Sequence, residues 1–304
     1  MIKARGLART FSVRGRPVEA VAGIDLDVQP GELVGFLGPN GAGKTTTLRM
    51  LATLLRPTAG EAIVAGHDLR TDPAGVRRRI GYLGQGNGGG SDQRVRDEAI
   101  IQAKLYRAPL RRVTELIEEF ELTDVADRLV ATLSGGQKRR LDIVLGMIHQ
   151  PELIFLDEPS TGLDPQSRGN LWQHVRRLRD EHGATVFLTT HYLDEADALC
   201  DRILVIDHGR IVAEGTPDEL KSTVSGDLVS LTVSDPARAA GHCPGATVRG
   251  NQIDFRVPRG DTALPGLLGD LAAADITVTS VQTHRPTLDD VFLTLTGRSL
   301  RDGS

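Results

Sequence analysis

The stretch that most restricts what this chain can fold into is Gly38-Pro-Asn-Gly-Ala-Gly-Lys-Thr45, in the pattern G-x-x-x-x-G-K-[ST]. An apolar run, Leu33-Val-Gly-Phe-Leu37, precedes it, and Thr46-Thr-Leu-Arg-Met-Leu51 follows as a helix. Strand, glycine-rich turn and helix in that order is the context this pattern needs. Gly38, Gly41 and Gly43 let the backbone curl, so that successive N–H groups point at phosphate oxygens. The new helix adds its positive N-terminal end. Lys44 supplies a point charge for the β- and γ-phosphates, and the Thr45 hydroxyl is a ligand for Mg²⁺. A glycine-rich turn that binds nothing would rarely fill every fixed position in this setting.

The chain has 304 residues, room for one large domain and a small one. Its formal net charge is -4, so no global field favours nucleic acid and none is expected as a partner. Cys200 and Cys243 form no metal-ligand spacing, and a reducing compartment without disulfides is expected. Met1-Ile-Lys-Ala-Arg5 holds no apolar stretch of signal-peptide length. No run approaches the roughly 18 to 20 apolar residues that span a bilayer. The expectation is a soluble protein whose membrane role would need a partner chain.

Residues 1 to 32 read as antiparallel strands, Ile2–Leu7, Thr10–Val13 and Ala20–Val28, with a turn at Arg14-Gly-Arg-Pro17. Phe11 precedes that turn. Its ring could stack on a base, and a β-face core residue fits the spacing nearly as well. Gly60–Gly66 is a short strand with a turn. Arg77-Arg-Arg79 reads as a solvated helix end before the run Ile80–Gln85. At a strand end beside a loop, the Gln85 carbonyl can reach a metal or water.

Gly86-Asn-Gly-Gly-Gly-Ser91 reads as a flexible loop. Helical periodicity follows over Arg96–Tyr106 and Leu110–Phe120, divided at Pro109. These belong to a helical insert over residues 86–150. Within it, Leu133-Ser-Gly-Gly-Gln137 opens the helix Lys138–Met147. Ser134 is a natural N-cap, and Gly135 and Gly136 expose backbone N–H groups, which makes either a second anion site or a plain capped helix start. Lys138-Arg-Arg140 reads as a solvated face.

Leu153-Ile-Phe-Leu-Asp-Glu158 is a continuous apolar strand ending in two carboxylates, as in the middle of a parallel sheet. Adjacent side chains diverge, so Asp157 and Glu158 face different targets. One can hold Mg²⁺ through water; the other can orient or deprotonate an attacking water. Ser160-Thr-Gly-Leu-Asp164 and Pro165 form the next turn. A helix over Gln166–His182 leads to the strand Thr185–Thr190 and to His191, at the edge where such sheets bind ligands. The helix Leu193–Leu199 and strands Arg202–Asp207 and Arg210–Glu214 follow.

Near residue 222 the pattern changes. A strand Asp227–Val233, a hairpin Ala246–Val257 about Gly250-Asn251, a helix Ala263–Ala274, a strand Ile276–Thr283 and a helix Thr287–Thr296 are expected. The domains are therefore read as 1–222 and 225–304, the second a small α+β accessory domain.

Together these stretches resemble the ATP-binding cassette (ABC) ATPases over almost the whole chain. Gly38 to Thr45 matches the Walker A loop, so Pro39, Asn40, Ala42 and the following Thr46 count with its glycines as nucleotide-binding. Gln85 matches the Q-loop glutamine, Leu133 to Gln137 the signature motif, and Leu153 to Asp157 Walker B. Glu158 matches the catalytic glutamate, Ser160 to Asp164 the D-loop, and His191 the switch histidine. Phe11 falls where the family places its adenine-stacking aromatic. The order of six motifs is more specific than any one, and LSGGQ separates this family from other P-loop proteins.

Asp97-Glu98 with Gln102 to Tyr106, Arg139-Arg-Leu-Asp142, and the tail Pro286 to Gly297 look like the daunorubicin-resistance type of drug-export ATPase. In that group a separate membrane permease makes the transport path. Two features depart from it: the glycine run 86–90, and Leu133-Ser134 where the subgroup often has Tyr-Ser.

The resemblance implies an α/β P-loop NTPase fold: a RecA-like, mainly parallel sheet with an antiparallel β subdomain and a helical subdomain. It implies an ATPase using ATP and Mg²⁺, peripheral on the cytoplasmic face of the membrane, that powers a permease exporting a drug-like or hydrophobic compound. Two copies would face head to tail, with ATP between the Walker A loop of one and Ser134, Gly135, Gly136 and Gln137 of the other. Asp164 is counted with the nucleotide-binding residues. Thr45, Gln85 and Asp157 would complete the Mg²⁺ shell. Glu158 would polarise the attacking water, His191 would hold the γ-phosphate in line, and Lys44 would share in catalysis. The competing reading is a soluble ABC ATPase acting on ribosomes or DNA without a permease. Such proteins usually carry two cassettes, coiled-coil arms or zinc modules, and this chain has one cassette and no long heptad stretch.

Overall fold

The structure, a computed structural model, describes residues 1–86, 90, 92–224, 226–258 and 260–297. The chain divides into two compact units, one running from Met1 to Pro217 and one beginning at Asp218. The first contains β1 (Ile2–Val13), β2 (Arg16–Val28), β3 (Leu33–Leu37), α1 (Lys44–Leu51), β4 (Ala59–Val64), β5 (His67–Asp68), α2 (Pro73–Arg79) and β6 (Ile80–Leu83). It continues through α3 (Val95–Tyr106), α4 (Arg111–Glu119), α5 (Gly135–Met147), β7 (Leu153–Asp157) and α6 (Pro165–Asp180). Then come β8 (Thr185–Thr190), α7 (Leu193–Leu199), β9 (Arg202–Asp207) and β10 (Arg210–Gly215); the next helix, α8 (Pro217–Ser222), begins on the last residue of this unit and continues into the second.

Among the described residues the central sheet has six strands in the order β10-β9-β3-β8-β7-β6. Only β10 runs antiparallel to its neighbour. β3, β7 and β8 are buried along their whole length, which is why they read as unbroken apolar runs. Phe187 meets Phe36 and Phe155 across these strands, with ring centroids 5.6 and 5.9 Å apart. Burial of each ring stabilises the unit by roughly 1.5–3 kcal/mol. Leu37 pairs with Thr190, and Asp157 with Thr189. The parallel register therefore delivers the ends of β3, β7 and β8 to one edge of the sheet, where ligands bind in such folds.

A second sheet, β2-β1-β4-β5, is antiparallel. From the sequence its first strand is expected in two pieces and the next from Ala20. Instead β1 and β2 are long and continuous, with register shifts that keep them paired through irregular points. Gly6 (φ 56°) and Gly23 (φ 78°) take up the bends, so a break in the apolar pattern does not break the strand.

The helices α3, α4 and α5 pack on one another, and α5 also packs on α6. Short 3₁₀ turns at Thr123–Val125 and Val130–Thr132 link them, which apolar periodicity does not reveal. Of the glycine-rich loop expected at 86–91, residues 87–89 and 91 lie outside the described residues.

The second unit has β11 (Asp227–Val233), α9 (Pro236–Ala240), β12 (Thr247–Arg249), β13 (Gln252–Val257), α10 (Gly260–Ala273), β14 (Val278–His284) and α11 (Leu288–Thr296). Its antiparallel sheet, β12-β13-β11-β14, buries Val229, Leu231, Val233, Ile253 and Phe255 with Leu271 of α10. Ile276 joins that core at 3% exposure instead of starting the last strand. The unforeseen helix α9 begins at Asp235, whose side chain caps it, with a proline in its first turn. Cys200 and Cys243 are free and buried. Among the described residues no helix is long and apolar enough to cross a membrane.

Candidate active site

The loop after β3 is shaped by close approaches. A Cβ at Gly38 would strike the Ile206 carbonyl oxygen, and one at Gly43 that of Ala20. Gly41 and Gly43 have φ of 80° and 106°, where glycine is favoured. Gly43 is also the N-cap of α1 and supplies no side-chain cap, so the first helical N–H groups stay free for a ligand in the loop. Ala42 is buried and its carbonyl accepts from Gly209 N at 2.9 Å, which ties the loop to the turn after β9. Asn40 is exposed, and Pro39 and Thr46 are half-buried.

Lys44 is 4% exposed. Its Nζ donates to Gly38 O (2.8 Å) and Pro39 O (3.0 Å) and lies 3.2 Å from Glu158 Oε1. Burial pushes the ammonium down from its ordinary pKa, and Glu158 pulls it partly back.

Glu158 follows β7 with φ 49°, a left-handed conformation that costs a glutamate about 1–3 kcal/mol. Its N–H is shared between Thr189 O (3.1 Å) and Thr189 Oγ1 (3.0 Å), which holds the strained backbone in place. Oε2 lies 3.2 Å from His191 Nδ1 and accepts from Thr161 Oγ1 at 3.3 Å. Burial alone would raise this carboxyl; the close approach of His191 and the Lys44 charge outweigh it and bring the pKa down to about 2. The group is thus a fixed carboxylate acceptor at neutral pH.

Asp157, at 1% exposure, ends β7. Its Oδ1 accepts from Thr45 Oγ1 and Thr189 Oγ1, both at 2.8 Å. Its Oδ2 is buried without a hydrogen-bond partner among the described residues. Burial raises this carboxyl, and the two hydroxyl donors oppose it. Gln85 Nε2 reaches Thr45 Oγ1 at 3.2 Å. Among the described residues no group of three His, Cys, Asp or Glu could hold a metal alone. A carboxylate, a hydroxyl and an amide gathered at one point, with one buried oxygen unsatisfied, fit Mg²⁺ shared with phosphate oxygens.

The other motif forms a separate corner. Ser134 opens α5 with a capping box: Gln137 N donates to Ser134 Oγ (3.3 Å) and Ser134 N donates to Gln137 Oε1 (3.0 Å). Gly135 and Gly136 lie against Leu163 and Ser167. Asp164 caps α6 through Ser167 N (2.9 Å) and Ser167 Oγ (2.6 Å), which hold its carboxyl below the usual range. Among the described residues no hydrogen bond or ion pair joins 134–137 to the loop 38–45. Phe11, half-buried opposite Val18 on β2, carries the Arg9 guanidinium 4.6 Å from its ring centroid.

Two contributors escaped the sequence reading. Thr189 holds the Asp157 carboxylate and the Glu158 backbone N–H, and the only signal for it is a pair of hydroxyls closing a buried strand, which must find partners. Arg139 corrects the expectation of a solvated face: it is 7% exposed and donates to Gly84 O (2.8 Å) and Gln85 O (2.9 Å). Arg140 is bonded to Glu121 at 2.7 Å. Helix α5 thereby grips the backbone that carries Gln85.

A glycine loop with a buried lysine, facing two carboxylates at the ends of parallel strands, defines a P-loop nucleotide hydrolase. The family model for ABC transporters matches residues 21–161, and that for the C-terminal domain of DrrA1-3-like ATP-binding proteins matches residues 215–296. The chain is 43% identical to the daunorubicin/doxorubicin resistance ATP-binding protein DrrA of Streptomyces peucetius, over 100% of this chain and 94% of that one. It is 34% identical to the linearmycin resistance ATP-binding protein LnrL of Bacillus subtilis, over 99% of this chain and 100% of that one. The dimeric, post-hydrolysis structure of the ATP-binding cassette MJ0796 with ADP and Pi superimposes with a TM-score of 0.65 at 25% identity, covering 71% of this chain and 98% of that one. The chain belongs to the ATP-binding subunits of ABC transporters, with a DrrA-like C-terminal domain, and is an ATPase. Cassettes of this family dimerise and pair with a membrane permease.

Proposed function

We propose that the chain powers the export of a drug-like or hydrophobic compound, from a peripheral seat on the cytoplasmic face of the membrane against a separate permease. The resistance and export names of its relatives support the cargo class. Two copies face head to tail, each giving Ser134–Gln137 to the nucleotide held by the other's loop 38–45.

The observation that carries this reading is the separation of the two half-sites. Lys44, Thr45, Asp157, Glu158 and His191 converge, while among the described residues no hydrogen bond or ion pair ties the serine-capped helix start to them. A second copy brings the missing donors, and a helix N-terminus aimed at the γ-phosphate does the work of an arginine finger. ATP then favours the closed pair because only that state makes both sets of contacts. Loss of the γ-phosphate releases them.

Thr45, Asp157 Oδ2 and the Gln85 amide would hold Mg²⁺, which when bound neutralises phosphate charge. Glu158, already ionised, orients the attacking water and takes its proton. His191 keeps that carboxylate and the γ-phosphate in line. Lys44 exchanges its two carbonyl partners for phosphate oxygens. Asp164 contributes through the turn it caps, and Phe11 offers a ring face to the adenine.

Purification from native membranes tests the reading. The expected result is a co-purifying polytopic membrane protein and hydrolysis stimulated by an exported hydrophobic compound. Recovery with ribosomes or DNA, and no membrane protein, would overturn it.

A further inference from the structure

The buried carboxyl of Glu195 lies outside the machinery described so far. It sits on α7, is 0% exposed, and is four residues from His191. Its Oε1 accepts a hydrogen bond from Ser160 Oγ and another from Trp172 Nε1 at 3.1 Å. The same indole N–H lies 3.2 Å from Ser160 Oγ. Ser160 is itself 0% exposed. Three elements therefore meet at one point: the turn after Glu158, the middle of α6, and the helix that follows His191.

We propose that Glu195 and Trp172 are positioning residues that fix the turn 158–164, and through it the Glu158 carboxylate, relative to His191. This rests on the reading of Glu158 as the group that activates water. The turn needs an outside brace because Glu158 is left-handed and Asp164 is already committed to capping α6. Thr161, next to Ser160, donates to Glu158 Oε2, so a shift of Ser160 is passed directly to the carboxylate. Both donors meet the one oxygen Oε1, and a glutamine carbonyl offers the same two lone pairs, so a glutamine can replace this carboxyl.

Trp172 is the chain's one tryptophan. Its fluorescence therefore reports on this junction alone, and nucleotide that engages the turn changes its emission.

The test measures kcat, KM for ATP and tryptophan emission on the full chain. Glu195→Leu keeps the volume and removes the acceptors; kcat should fall about tenfold with KM nearly unchanged. Glu195→Gln should restore most of that loss. Trp172→Phe removes the N–H together with the five-membered part of the indole and should lower kcat at least about threefold, the lower end being the range of one neutral hydrogen bond. It also serves if the leucine variant does not fold. Parent-like kcat in Glu195→Leu and Trp172→Phe, or equal losses in kcat and nucleotide binding, would overturn the proposal. So would emission that ignores MgATP. Glu158→Gln is run alongside: if it keeps normal turnover, the Glu158 reading fails, whereas an inactive Glu158→Gln beside a fully active Glu195→Leu refutes the brace alone.

Discussion

Lys44 Nζ and Glu158 Oε1 are 3.2 Å apart, and both side chains are under one-tenth exposed. The pair joins the phosphate loop to the end of β7 before any phosphate is involved. The two partners do not gain alike. The carboxylate is stabilised, with its pKa brought down to about 2, while burial works against the ammonium. The net contribution to stability is therefore smaller than the carboxyl shift alone implies, as for buried pairs generally.

Glu158→Gln should keep ATP affinity and lose turnover by roughly 10²-fold or more, the scale of a positioned acid–base group. Nucleotide binding and steady-state hydrolysis measured on the same preparation decide it. Near-normal hydrolysis would reject the assignment.

The same substitution gives a pH prediction for stability. A carboxyl lowered from 4.5 to about 2 on folding contributes stability that is fully present above about pH 5 and fades as the pH falls toward 2. Denaturant melts of parent and Glu158→Gln should therefore differ by a constant amount near neutrality, with the difference shrinking below pH 4.5. A difference that grows on acidification would show that the carboxylate is not held ionised.

Arg139→Ala leaves the Gly84 and Gln85 carbonyls without their guanidinium donors. The expected loss is about 1–3 kcal/mol of stability, the cost of unmaking buried hydrogen bonds to a charged group. Turnover should fall more than ATP binding, because the backbone of Gln85 loses its grip on α5. Arg139→Lys should rescue little, since one ammonium cannot reproduce the fork. Thermal melts with kinetics check both statements.

Ser134→Arg should abolish turnover while a single chain still binds ATP, because in the proposed head-to-tail pair the serine faces a nucleotide held by the other copy. Full activity in this variant would argue against a shared site.

Much of this was legible from residue order because the main elements obey local rules. Buried parallel strands must be apolar throughout, which marked Leu33–Leu37 and Leu153–Asp157, and the ends of such strands carry the chemistry. The Ser134 cap was readable too, whereas Asp164 and Pro165, read as a turn, are the cap and first residue of α6. What stayed hidden depends on distant partners. Arg139 sits in a run of three basic residues, and only the strand end at Gly84 makes it a buried clamp. Glu195 reads as one more charge on a short helix until Ser160 and Trp172 close over it. The long β1 was hidden for a related reason, since glycine bulges interrupt alternation without ending pairing.

The decisive measurement is ATPase rate per chain across a dilution series, with sedimentation of the same samples to follow monomer and dimer. A nucleotide clamped between two copies predicts a per-chain rate that falls with the dimer fraction, and ATP-bound Glu158→Gln that stays dimeric. A dilute, demonstrably monomeric chain that hydrolyses ATP at the undiluted rate would contradict it.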